Sequence, residues 1–159
     1  GKVLLITGGT GSFGNAVLRR FLDSDIKEIR IFSRDEKKQD DMRHEYQAKF
    51  PEVAHKIKFY IGDALRLIPA LGITFDLAFV DGDKRKYIEY YEMTLAHLSV
   101  GGYIIADNTL WDGHVLEEPH SNDHQTIGIK AFNELVAHDE RVEKVILPLR
   151  DGLTIIRKK

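Results

Sequence analysis

"VEKVILPL" (142–149), the turn "RDG" (150–152) and "GLTIIRKK" (152–159) together form the stretch on which the fold turns. Two runs rich in Val, Ile and Leu flank a tight turn ending in glycine, the pattern of an antiparallel hairpin. Upstream, similar runs recur at regular distances: "KVLLIT" (2–7), "EIRIFS" (28–33), "KIKFYI" (56–61), "FDLAFV" (75–80) and "GYIIAD" (102–107). Each is too short for a helix and continuous enough for a strand covered on both faces. The segments between them carry helical spacing. "FGNAVLRRFLDS" puts Phe13, Val17 and Phe21 on one stripe, "RKYIEYYEMTLAHL" puts Ile88, Tyr91, Leu95 and Leu98 on another, and "AFNELVAHD" reads as a further helix. Strands alternating with helices imply right-handed crossovers and a parallel sheet. The expected architecture is a doubly wound, Rossmann-like α/β three-layer sandwich, mostly parallel, of about seven strands and closed by an antiparallel hairpin. A sheet of parallel strands alone does not end this way.

The 159 residues fit a single domain, 1–159, large enough to bury about two thirds of the surface that the unfolded chain exposes. Hydrophobic residues at 43% and charged residues at 30% exclude a disordered or fibrous chain. Twenty-three Lys and Arg against 25 Asp and Glu give a net charge of -2, so no summed positive field draws the protein to nucleic acid or anionic lipid. The absence of cysteine removes disulfides, thiolate catalysis and thiolate metal sites, and a reducing, cytoplasmic setting is the expectation. No apolar run approaches the ~20 residues needed to cross a bilayer. The expected partner is a small molecule, a nucleotide.

"LLITGGTGSFGNAVLRRFL" sets Gly8, Gly11 and Gly14 at a strand-to-helix turn with spacing G-x-x-G-x-x-G. Glycines there permit a tight turn and close backbone approach, so that a phosphate can sit on the free N–H groups opening the helix. At the tip of the second strand, "SRDEKK" offers Ser33 and Arg34 with Lys37 and Lys38 behind them. Arg34 would pair with a ribose 2'-phosphate and so favour NADP over NAD. The other reading of these charges is a solvated helix start, with Asp35 and Glu36 favoured by the helix dipole.

Residues 1 to 63, with "TGGTGSFGNAVLRRFL", "IFSRDEKKQDDMRHEYQ" and "HKIKFYIGD", resemble the extended short-chain dehydrogenase/reductases, closest to the UDP-N-acetylglucosamine 4,6-dehydratases. The resemblance implies that Thr10, Gly11, Ser12 and Phe13 touch the phosphates, Arg34 and Lys38 the adenosine 2'-phosphate side, and Asp63 the adenine. That family's Tyr-x-x-x-Lys pair does not appear downstream.

Two later strands end in acids: "FDLAFVDGDKRKY" delivers Asp81 and then Lys84, and "GGYIIADN" delivers Asp107 and Asn108. Two carboxylates and an amide carbonyl are hard oxygen donors suited to Mg2+ or Ca2+. A lysine three residues from a metal-bound Asp would have its pKa lowered towards that of a base. The structural alternative is that Asp81 or Asp83 only caps the helix from Lys84 and that Asp107 and Asn108 only form a turn.

From Ala64 to Lys159, "GDALRLIPAL", "FDLAFVDGDKRKYIEYYE", "LSVGGYIIADNTLWDGHV" and "LPLRDGLTIIRKK" resemble the cation-dependent O-methyltransferases of the catechol and caffeoyl-CoA type. The resemblance implies metal ligands at Asp81, Asp107 and Asn108, a catalytic Lys84, S-adenosylmethionine as cofactor, and Gly62 to Ala64 bordering its adenine. Its first strand ordinarily ends in an acidic glycine-rich loop and its second in a carboxylate; here "TGGTGSFG" and "SRDE" stand in those places.

The long segment "NTLWDGHVLEEPHSNDH" lacks a clear period and reads as a loop, with Trp111 either walling a planar substrate or anchoring the loop, and His120 and His124 at a spacing seen in zinc sites. "YIGDALRLIPAL" (60–71) becomes a seam between two lineages. The leading expectation is an engineered chimera, 1–63 dehydratase-like and 64–159 methyltransferase-like. It would act as a scaffold with NADP-like nucleotide binding and no efficient catalysis. The alternative is a Mg2+-dependent S-adenosylmethionine O-methyltransferase acting on catechols.

Overall fold

The computed structural model describes residues 1–159 with the side chain of Phe13 excepted, so the phosphate contact and stripe position expected of Phe13 lie outside the described residues. Strands and helices alternate as β1 Val3–Thr7, α1 Ser12–Leu22, β2 Glu28–Ser33, α2 Glu36–Lys49, β3 Ile57–Ile61, α3 Ala64–Leu71, β4 Phe75–Val80, α4 Tyr87–His97, β5 Leu98–Asp107, α5 His124–His138, β6 Val142–Leu147 and β7 Leu153–Lys158. Short 3-10 turns cover Ala54–Lys56, Lys84–Lys86 and Trp111–Leu116. The seven-stranded order β3-β2-β1-β4-β5-β7-β6, with antiparallel strands at its C-terminal end, is the expected Rossmann-like mixed sheet. The chain divides into two compact units, Gly1–Asp76 and Leu77–Lys159.

In the first unit β1 pairs parallel to β2 and β2 parallel to β3. Leu4, Leu5, Ile6, Ile29 and Ile31 are fully buried, so the unbroken apolar runs do reflect strands covered on both faces. Helix α1 corrects the expected stripe: Leu18 and Leu22 are buried, whereas Val17 and Phe21 are half-buried. Gly14 lies on the same face, one turn before Leu18, and a Cβ there would stand 2.5 Å from the Gly9 backbone. The helix therefore sits down on the turn through its glycine, which rotates its buried face by one position. Helix α2 carries almost no apolar period. Asp35 caps it by accepting from the Lys38 N–H at 2.9 Å, and it buries only Gln39, Met42 and Tyr46. The Gln39 amide donates to the carbonyls of Ser33 (3.1 Å) and Tyr60 (2.7 Å), tying together the ends of β2 and β3, where Phe32 and Tyr60 stack at 4.6 Å.

In the second unit β5 pairs antiparallel with β7, and β7 with β6. The hairpin expected from the sequence is present, and Gly152 (φ +83) takes the left-handed turn position that a side chain would strain. Strand β5 starts at Leu98, earlier than its apolar run suggests. Helix α5 starts at His124, capped by Asp123, whose carboxylate accepts from the Thr126 N–H (3.1 Å) and hydroxyl (2.6 Å). The end of the segment read as loop is thus helix: a side-chain cap started it without any apolar signal. On α4 the expected Tyr91 and Leu95 are buried, as is Leu98 just beyond it, whereas Ile88 is half-buried and Tyr87 takes the inward place at the start of the helix. Tyr87 and Tyr91 meet Phe132 of α5 edge-on, at 5.3 and 5.9 Å.

Candidate active site

In the first unit, α1 opens at Gly11 with no side chain capping it, so the N–H groups of its first turn have no side-chain acceptor. The turn itself is closed by the Gly11 N–H donating to the Gly8 carbonyl at 3.0 Å. Among the described residues, a Cβ on Gly11 would meet the Gly8 carbonyl oxygen at 3.4 Å, an ordinary contact. Thr10 and Ser33, from the tips of β1 and β2, share a hydroxyl hydrogen bond at 3.1 Å, and the Ser33 carbonyl accepts the Gly62 N–H at 3.1 Å. Ser12 and Arg34 are exposed, and exposed Lys38 pairs with Asp35 at 3.4 Å. Asp63 caps α3 by accepting from the Leu65 N–H at 3.0 Å, and Ala64 is buried.

The second unit gathers the other set. Asp83, not Asp81, caps the turn after β4, accepting from the Arg85 N–H at 3.1 Å and pairing with its guanidinium. Asp81 is released from capping, its side chain 42% exposed. Lys84, by contrast, is only 4% exposed. Its ammonium donates to Asn108 Oδ1 (2.9 Å), the Asp107 carbonyl (3.3 Å), Asp81 Oδ1 (3.4 Å) and the Tyr87 hydroxyl. Asn108 holds φ +58, a left-handed conformation that Asn tolerates better than most residues, and its N–H donates to the Asp107 carboxylate at 2.7 Å. Burial pushes the Lys84 amine below its ordinary value against the opposing pull of Asp81 and Asp107, and burial pushes the Asp107 carboxyl up. Burial also raises the Tyr87 phenol, which stays protonated and donates to the Asp107 carbonyl at 2.7 Å. Trp111 anchors its loop by donating to the Thr126 hydroxyl at 3.1 Å, while its ring centre lies 5.8 Å from the Lys84 amine. The sequence reading overlooked Tyr87 as a site residue; the available signal was its place one turn after Lys84.

Oxygens of Asp81 and Asn108 already converge on one positive charge, and Asp107 adds a second carboxylate, so the donor set suits a hard divalent cation. Among the described residues no three His, Asp or Glu side chains cluster for a metal, so such a cation would depend on the Asn108 amide oxygen as third donor. His120 and His124 are both exposed. No helix among the described residues is long and apolar enough to cross a membrane.

A family model described as O-methyltransferase matches residues 22–159, and the chain belongs to that family. Tricin synthase 2 of Oryza sativa subsp. japonica is 43% identical over 117 residues, covering 67% of this chain and 40% of its own length. UDP-glucose 4-epimerase of Rickettsia canadensis (strain McKiel) is 65% identical over 66 residues, 39% of this chain and 18% of its own length. The chain therefore spans well under half of either relative. Among solved structures, an O-methyltransferase from Bacillus cereus in complex with SAH superposes with a TM-score of 0.84 at 26% identity, over 99% of this chain and 74% of that one.

These matches overturn the expectation of a NADP-binding scaffold without catalysis. The O-methyltransferase family match runs through Arg34 and Lys38, the residues assigned to the 2'-phosphate, as well as through Lys84 and the strand-tip acids. Gly14 at least also serves packing, since a Cβ there would meet the Gly9 backbone, so the glycine pattern alone does not single out NADP. The high-identity short match is to UDP-glucose 4-epimerases.

Proposed function

We propose that the protein transfers a methyl group from S-adenosylmethionine to one oxygen of a catechol-type acceptor, with Lys84 as the base. The observation that carries this is the buried Lys84 amine nested among Asp81, Asn108 and the Asp107 carbonyl. Burial, by holding the Lys84 amine below its ordinary pKa, makes it better suited to take the acceptor's hydroxyl proton. The resulting oxyanion attacks the methyl carbon as the carbon–sulfur bond breaks, leaving a neutral thioether. Asp81, Asp107 and Asn108 would hold Mg2+ or Ca2+, which when bound supplies charge that lowers the acceptor's pKa. The Gly8–Gly14 turn, Ser33, Asp63 and Ala64 would hold the donor; the start of α1, which no side chain caps, supports that role for the donor's carboxylate.

The test is methyl transfer from labelled S-adenosylmethionine to catechol with Mg2+, abolished by chelation and by Lys84→Ala. Absence of transfer by the folded protein at saturating donor and acceptor overturns the proposal.

We further infer that segments 1–63 and 64–159 come from different lineages joined at Gly62–Ala64. The 65% identity to an epimerase over only 66 residues, beside an O-methyltransferase match over most of the chain, supports this. Replacing 1–63 by the equivalent part of an O-methyltransferase should then tighten donor binding; unchanged affinity counts against it.

A further inference from the structure

Lys84 stands on a 3-10 turn of three residues, a short support for a side chain that must be aimed. Two contacts brace it. The Tyr87 hydroxyl donates to the Asp107 carbonyl at 2.7 Å and accepts from the Lys84 amine, and its ring lies 4.4 Å from that amine. The ring is itself fixed edge-on against Phe132, at an interplanar angle of 88°. On the backbone side of the turn, α5 crosses at Gly128. A Cβ at that position would fall 2.5 Å from the Lys84 carbonyl oxygen and 2.9 Å from the Arg85 Cα. Only a glycine lets the helix rest on the turn at this height.

We propose that Tyr87 and Gly128 are positioning residues that aim the Lys84 amine, Tyr87 by binding the amine and Gly128 by seating the turn that carries it. The inference rests on Lys84 being the base. The amine is held between the Tyr87 hydroxyl and Asn108 Oδ1 (2.9 Å), with the half-exposed Asp81 carboxylate at 3.4 Å. Without the Tyr87 hydroxyl the amine keeps its burial but loses its aim.

The experiment compares the full chain with Tyr87→Phe and Gly128→Ala, each first checked for folding by circular dichroism. One readout is the acetylation rate of Lys84 relative to exposed lysines, followed by mass spectrometry after a short pulse of acetic anhydride. It is expected to change several-fold in Tyr87→Phe. The other is steady-state methyl transfer, where kcat should fall ~10- to 100-fold while the acceptor KM moves less than about twofold, as misorientation of a reacting group predicts. A folded Tyr87→Phe protein with unchanged Lys84 acetylation and unchanged kcat overturns the proposal, whether or not Gly128→Ala folds. Full transfer by Lys84→Ala would instead remove the base assignment, and the acetylation readout separates that result from failure of the positioning role.

Discussion

Tyr91 on α4 donates its hydroxyl to Asp139 Oδ2 across 2.8 Å, while Arg141 grips the same carboxylate with Nε at 3.0 Å and Nη2 at 2.6 Å. The Asp139 side chain is 7% exposed, and these donors, Arg141 first, hold it well below the usual carboxylate range. A depressed native pKa means that the unfolded chain binds the proton more readily. The stabilisation is therefore complete above the unfolded value of about 3.9 and is lost as pH falls through the native one. Thermal melts from pH 7 down to pH 2 should show Tm dropping below about pH 4. Asp139→Asn should lower Tm at pH 7 by the equivalent of about 1–3 kcal/mol and flatten the acid limb.

The two helix-turn glycines should separate cleanly. Gly14→Ala places a methyl against the Gly9 backbone and should cost about 1–3 kcal/mol in urea unfolding, even though alanine is the better helix former. Gly11→Ala brings its methyl only to an ordinary 3.4 Å contact with the Gly8 carbonyl oxygen and should stay within about 0.5 kcal/mol of the parent. If Gly11 borders the methyl donor, the same change weakens donor affinity in calorimetry.

Lys84→Met replaces the buried amine with an apolar side chain of similar length. The variant should fold, since Met keeps the buried aliphatic volume, at a cost of about 1–3 kcal/mol for the Asn108 oxygen left without its donor. Its methyl transfer should fall ~10²- to 10⁴-fold, the usual worth of a general base. A rate within threefold of the parent would show that another group takes the proton.

Gln39→Leu should cost about 1–3 kcal/mol by chemical denaturation, since it strips a donor from the Ser33 and Tyr60 carbonyls at the ends of β2 and β3. Gln39 is fully buried although it sits within a run of charged residues.

The strands were legible as runs rich in Val, Ile and Leu, and β1, β2, β3 and β4 fall within a residue of those runs, although β3, expected to be covered on both faces, buries only Ile57. The helices were harder. In α1 the residues at 17 and 21 and those at 18 and 22 are both spaced for a stripe, and only the Gly14 contact with Gly9 chose between them. Helix α2 has no stripe to read and is held by a cap, an amide and a few buried side chains. Resemblance to two families left the cofactor undecided, since glycine at a strand-to-helix turn serves packing and ligand alike.

Spacing along the chain determined that carboxylates stand at the ends of β4 and β5 and that a lysine follows the first of them, because strand ends and tight turns are local events. It did not determine which acid would cap the turn after β4, nor that Lys84 would be buried with its amine on Asn108, 24 residues away. That was decided when α5 settled on the Lys84 turn at Gly128 and Tyr87 locked against Phe132. Burial and hydrogen-bond convergence depend on which distant surfaces pack together, and no local pattern of residues records that.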